Sequence, residues 1–152
     1  TDHPVCIVLT RQDLQGYEKE DSSWKENIQK GAYIAKKGTD NPEITVLATG
    51  SEVSLAIDAA NIAKSKGKNV RVVSVLDREL FANQPEQLQA TLIGRTKRVV
   101  TLEAGIRTGW EQFVKSKDDI ISIDTFGTSA PFAKVAEYFG FTPEKVAEKL
   151  CK

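Results

Sequence analysis

The sequence predicts an α/β domain built on a mostly parallel sheet, and three runs carry that prediction. Residues 44–53 (ITVLATGSEV), 99–105 (VVTLEAG) and 120–127 (IISIDTFG) are apolar, β-branched stretches that each break on a small-residue turn. The first flows directly into a long segment with helical character, which reads as a strand feeding a helix. Alternation of such strands with helical stripes implies right-handed crossovers and helices on both faces of the sheet. The expected architecture is a three-layer α/β/α domain with a five-stranded mixed sheet, its strands near 32–36, 44–49, 70–75, 99–102 and 120–123.

Taken in order, residues 5–10 (VCIVLT) form a continuous apolar run, the mark of a strand buried on both faces, with nothing before it to pair with. It reads as the last strand of a preceding domain that this chain lacks. Methionine is absent, even at position 1, which leads to the same expectation of a piece cut from a longer polypeptide. Residues 16–27, within a polar and charged stretch that begins at Arg11, read as a linker. Leu14, Tyr17 and Trp24 are its expected anchoring contacts, and the complete domain is expected over 28–152.

Residues 31–38 (GAYIAKKG) have the length of a short strand bounded by glycines, and 39–42 (TDNP) supply a turn. A turn this tight predicts a first strand antiparallel to the second and beside it. Over 52–66, Val53, Leu55, Ala56, Ile57, Ala59, Ala60, Ile62 and Ala63 make a stripe wide enough for a helix laid on a sheet. Gly67 stops that helix, and 70–75 (VRVVSV) is the next strand. A helix is expected over 85–92 with Pro85 in its first turn, where a missing N–H costs nothing. Strand 99–102, a helix from about Gly109 and strand 120–123 continue the alternation. Helices over 132–139 and 143–150 finish the chain, divided by Gly140 and with Thr142 as the cap of the second.

With 152 residues, 40% apolar and 28% charged at zero net charge, the chain has the composition of an ordinary globular domain large enough for a proper core. There is no basic surplus for nucleic acid and no apolar run long enough for a bilayer, and the first residues lack the charged and apolar regions of a signal peptide. The expected location is the cytoplasm, with neither nucleic acid nor membrane as partner. Cys6 and Cys151 lie at opposite ends without CxxC spacing, so the expected thiols are structural, and the single histidine, His3, cannot complete a zinc site with them.

Ligands of open α/β sheets bind beyond the carboxyl ends of the strands, which directs attention to three turns. Thr49-Gly50-Ser51-Glu52 could cradle an anion, but Thr49 and Glu52 have capping-box spacing and a cap would consume the same donors. The loop after residue 102 gathers Glu103, Arg107 and Trp110. Without a second carboxylate or a histidine to complete a proton relay, packing of the turn is the favoured reading. Residues 125–131 (TFGTSAP) offer hydroxyls without a base, with Ser129 able to cap the last helices and Pro131 suited to a first helical position. No GxGxxG, GxxxxGK[ST] or GxSxG is present. Arg11, just past the end of an apolar run, is either a guanidinium fork for an anionic oxygen or a solvated surface arginine.

Five pieces in order resemble the C-terminal part of transketolases: LTRQDL from Leu9, ATGSEV from Ala48, VVSVL from Val72 leading to ELF at Glu79, VTLEAG from Val100 with Gly109-Trp110, and TFGTSAP from Thr125 before EYFGF at Glu137. The resemblance implies a parent enzyme that uses thiamine diphosphate and a divalent cation, Mg or Ca, to move a two-carbon ketol unit between sugar phosphates in the pentose phosphate pathway. It implies three α/β domains and a homodimer, with 1–15 ending the pyrimidine-binding middle domain and residues from about 28 onward forming a third domain whose sheet has five strands, the first antiparallel. The family's phosphate-holding arginine falls on Arg11, with Thr10 in place of the usual serine. No catalytic, cofactor or metal ligand of the family falls on this chain, so the isolated chain is expected to be inactive. The partners implied are the N-terminal and middle domains of the same polypeptide. The alternative is a free-standing small-molecule-binding or regulatory module using a crevice near Gly50, Gly105 and Gly127.

Overall fold

A computed structural model describes residues 4–10, 12–20 and 22–152. Five strands form one sheet: β1 (Ala32–Lys36), β2 (Ile44–Ala48), β3 (Val70–Val75), β4 (Arg98–Leu102) and β5 (Ile120–Ile121), in the spatial order β1-β3-β2-β4-β5. β2 runs parallel to β3 and β4, β5 runs parallel to β4, and β1 alone is antiparallel. The five expected strands are therefore present, the last shortened to two residues.

The neighbour of β1 differs from expectation: it is β3, not β2. Both edges of β2 are taken by parallel partners, so the chain leaving β1 must cross the start of β3. Gly38, at φ +65°, makes that crossing, since a Cβ there would stand 2.8 Å from Asn69 Oδ1 and 2.9 Å from the Val70 carbonyl oxygen. Asn69 pins the crossing chain from below, accepting the Thr39 N–H on its side chain (3.1 Å) and the Glu43 N–H on its carbonyl (3.0 Å).

Strand alternation divides the core into two layers. Ile44, Val46 and Ala48 of β2, Val70 and Val72 of β3, and Val100 and Leu102 of β4 pack under α2 (Glu52–Ser65) and α6 (Pro143–Cys151). The buried stripe of α2 includes Ala56, Ala59, Ala60 and Ala63, whose small side chains let the helix lie close to the sheet. On the other face, Leu47, Val73 and Val75 pack with Phe81, Leu92 and Trp110. Phe81 belongs to α3 (Arg78–Ala82), and Leu92 to α4 (Glu86–Ile93). The three-layer reading thus holds. Thr142 caps α6 through the Lys145 N–H (3.4 Å), as its position before Pro143 predicts.

Local details differ from expectation at several places. No α-helix starts at Gly109; a single 3-10 turn spans Glu111–Phe113, because Gly109 takes φ +87° to let the Arg78 guanidinium lie against it. α3 was not anticipated; Asp77 caps it by accepting the Leu80 N–H at 2.8 Å. The stretch expected as a linker contains a short helix, α1 (Trp24–Asn27), and Tyr17 and Trp24 do anchor it to the core, whereas Leu14 is exposed. Residues 5–10 join no strand; without a neighbouring ladder Val5, Ile7, Val8 and Leu9 stand exposed, and so does Cys6. Ser129 makes no side-chain cap: α5 (Phe132–Phe139) begins after Pro131 with none.

Candidate functional site

The connection from β2 through α2 leads to β3 on one side of β2, while β4 lies on the other side, so the sheet's switch point falls between the carboxyl ends of β2 and β4. The turn after β2 reaches it through Gly50 at φ +53°. The expected capping box does not form, because Glu52 turns away from Thr49. Its carboxylate accepts the Ser51 hydroxyl at 2.6 Å and, across the switch point, the backbone N–H of Ala104 at 3.3 Å. The first turn of α2 is closed instead by backbone bonds from Glu52 N–H to the Thr49 carbonyl (3.1 Å) and from Val53 N–H to the Gly50 carbonyl (3.4 Å). Burial raises the Glu52 pKa, and Glu103 adds to the rise, against the two hydrogen bonds that favour the anion.

The loop after β4 brings together only part of the expected trio. The Trp110 indole N–H donates to the Glu103 carboxylate. Arg78 bridges the pair, with Nη1 3.9 Å from Glu103 and its guanidinium 5.3 Å from the centre of the Trp110 ring. Arg107 points elsewhere. Its backbone N–H and Nε donate to the carboxylate of Asp124 at 2.9 and 2.8 Å, and Nη2 lies 2.7 Å from it. With a third donor in the Ser122 hydroxyl at 2.7 Å, the Asp124 carboxyl is held well below the usual range, the Arg107 side chain being the largest cause. Both clusters are satisfied ion pairs that tie loops, in agreement with the packing reading.

Two hollows flank the switch point. One, of ≈ 440 Å³, is lined by Leu14, Leu55, Phe132, Val135 and Phe139 with Glu52 at its rim. The other, of ≈ 840 Å³, lies between Val8, Leu9, Gly50, Leu76 and Glu103. Gly50 therefore borders a crevice, whereas Gly105 and Gly127 line neither hollow. Among the described residues no group of three or more His, Cys, Asp or Glu side chains is placed to hold a metal ion, so they do not fit a diphosphate gripped through a divalent cation. No helix among them is long and apolar enough to cross a membrane. Arg11 and His3 lie outside the described residues.

One organising residue escaped the sequence reading. Arg71, in the middle of β3, is 4% exposed and donates to four carbonyls: Lys37 (3.0 Å), Thr39 (3.1 Å), Thr91 (3.3 Å) and Leu92 (3.2 Å). It joins the β1–β2 crossing to the end of α4. Burial lowers its pKa, opposed by Asp40. The available signal was a single charge inside the apolar run VRVVSV, which a buried strand tolerates only with partners.

The model of the transketolase-like C-terminal domain matches residues 31–142. The transketolase of Treponema pallidum (strain Nichols) is 44% identical over 146 residues, covering 95% of this chain and 21% of that protein. The transketolase of Aquifex aeolicus (strain VF5) is 41% identical over 149 residues, covering 97% and 22%. A Pichia stipitis transketolase solved with sedoheptulose-7-phosphate superposes with a TM-score of 0.80 at 30% identity, covering 91% of this chain and 20% of that one. The chain spans about one fifth of the length of the curated relatives it matches. A fold, a sheet order and a near end-to-end sequence match agree: this chain belongs to the transketolase-like C-terminal domain family.

Proposed function

We propose that this chain is the C-terminal part of a thiamine-diphosphate-dependent transketolase, a homodimeric cytoplasmic enzyme that moves two-carbon ketol units between sugar phosphates in the pentose phosphate pathway. The observation that carries the reading is the match of nearly the whole chain to one contiguous fifth of proteins named transketolase. The fold of the same region in a relative solved with a sugar phosphate supports it. On this reading residues 1–15 end the pyrimidine-binding middle domain, 16–27 link it to the next, and 28–152 form the C-terminal domain. The exposed β-branched run at 5–10 supports that division, since it has the composition of a buried strand and gains a ladder only from a neighbouring sheet.

Thiamine diphosphate and its cation belong, on this reading, to the other domains. The C-terminal domain contributes packing and support of the dimer, and the preceding segment of this chain contributes a contact from Arg11 to the substrate phosphate. A free-standing module is not favoured, because nearly the whole chain matches one contiguous fifth of much longer proteins.

The test is a chimera in which this chain replaces the corresponding fifth of the Treponema pallidum transketolase. Ketol transfer from xylulose 5-phosphate to ribose 5-phosphate within about tenfold of the parent is expected. A folded, dimeric chimera without activity would overturn the proposal. The isolated chain is expected to show no transfer and no saturable heat on calorimetric titration with thiamine diphosphate and magnesium.

A further inference from the structure

Residues 15–20 cross the domain as a strap, and an aromatic cage holds its centre. Lys19 Nζ stands 4.1 Å from the ring centre of Tyr17, 5.8 Å from that of Trp24 and 5.9 Å from that of Tyr33. The Trp24 and Tyr33 rings are tilted at 54° with centres 6.3 Å apart, so the ammonium faces more than one wall. The Tyr17 and Tyr33 hydroxyls meet at 2.6 Å and fix the cage to β1. Each end of the strap carries one further bond: the Ser54 hydroxyl donates to the Gln15 carbonyl (3.0 Å), and the Lys37 N–H donates to the Glu20 carboxylate (2.6 Å). Lys19 also donates to the Tyr17 carbonyl at 3.5 Å.

Ring faces attract a cation through their quadrupole and offer almost nothing to a neutral amide. Burial raises the Tyr17 pKa, with Tyr33 adding to the rise, so the Tyr17 phenol stays neutral and the ammonium is the charge the cage holds. Lys19 is only half-buried. We infer that Lys19 is a modification site, an acylation-sensitive latch whose positive charge keeps the strap seated and whose conversion to an amide releases it. In that step Nζ, having given a proton to solvent, attacks the carbonyl carbon of an acyl thioester or acyl phosphate. The N–C bond forms, the C–S or C–O bond breaks, and a thiolate or phosphate leaves, taking up the second proton that Nζ loses. Methylation keeps the charge and so keeps the latch closed. That release would loosen the join between two domains rests on the proposed function above; the latch itself does not.

Cleavage of the full 152-residue chain by glutamyl endopeptidase after Glu18 and Glu20 reads the strap without depending on lysine chemistry or on enzyme activity. Acetylation by acetyl phosphate and the variant Lys19→Gln are each expected to speed cleavage about tenfold. Reductive dimethylation and Lys19→Arg are expected to leave it slow, and acetylated Lys19→Arg is expected to stay slow as well. Equal cleavage of Lys19→Gln and Lys19→Arg would overturn the proposal. So would acetylated Lys19→Arg cut as fast as the acetylated parent, because other lysines would then govern the strap. Circular dichroism verifies that each form keeps the domain folded.

Discussion

Arg71 and Gly94 are fitted to each other: a Cβ built on Gly94 would stand 2.5 Å from Arg71 Nη1 and 3.0 Å from its Cζ. Gly94 ends α4 at φ +78°, a conformation that L side chains rarely adopt. The guanidinium fills the space a side chain would need. Gly94→Ala should cost about 1–3 kcal/mol from backbone strain, before the clash is counted. Arg71→Ala should cost about 2–4 kcal/mol, since four carbonyls lose their donor together. The double variant should cost less than the sum of the two, because removing the guanidinium removes the clash. Urea midpoints of the four proteins measure this, and strict additivity would show that the contact carries no energy.

Thr101 presents the opposite case. It is 1% exposed on β4, and its hydroxyl has no hydrogen-bond partner among the described residues. Valine keeps the branched shape and removes the unpaired group. Thr101→Val should raise stability by about 0.5–1 kcal/mol, read as a shifted denaturation midpoint at unchanged slope. Destabilisation would mean that the hydroxyl finds a partner in solution.

Glu52 should give the domain a particular pH response. Its folded pKa lies above the ordinary 4.5, so the folded state binds the proton more readily than the unfolded chain. Stability from this group therefore rises as pH falls from above the folded pKa to the ordinary value, and it changes no further below that. Glu52→Gln should flatten the profile over that window. At neutral pH it should change stability by no more than about 1 kcal/mol, because the amide oxygen still accepts one of the two hydrogen bonds. An unaltered pH profile in the variant would remove Glu52 as its source.

Under the proposed function, Arg11→Ala in the complete enzyme should remove a charge-assisted contact to the substrate phosphate. The expected loss is roughly 1.5–3 kcal/mol, about 10- to 150-fold in kcat/KM, falling mainly on KM. A donor without phosphate, such as hydroxypyruvate, should be nearly unaffected. Steady-state kinetics with both donors decide the matter: equal losses make Arg11 structural, and no loss on either makes it a solvated arginine.

The features legible in the sequence are those set by neighbouring residues. The β-branched runs from Ile44, Val70 and Ile120 mark strands because burial on both faces needs nothing beyond the run itself, and Thr142 before Pro143 marks a cap by local chemistry. What escaped depends on residues far apart in the chain. Thr49 and Glu52 have capping-box spacing, yet Glu52 finds its partner at Ala104. Proximity in sequence pairs Arg107 with Glu103, but Asp124 captures it. The short turn after β1 predicts β2 as its neighbour, although β3 and β4 occupy both edges of β2. At the candidate site, the sequence located the turns and their packing character but not their pairings.

The two borders of the sheet bear on how the chain behaves when concentrated. β1 ends with a shift of register between Ile34 and Lys36, followed by a second lysine at Lys37, while β5 offers only two residues. A kinked, charged margin and a very short one are poor templates for a strand from another molecule, so the folded domain resists growth into fibrils through its own sheet. The hazard lies instead in the bare run from Val5 to Leu9, uncharged and 64–88% exposed at Val5, Ile7, Val8 and Leu9. Shielding or trimming that run, rather than redesigning the sheet margins, is the route to a well-behaved soluble preparation.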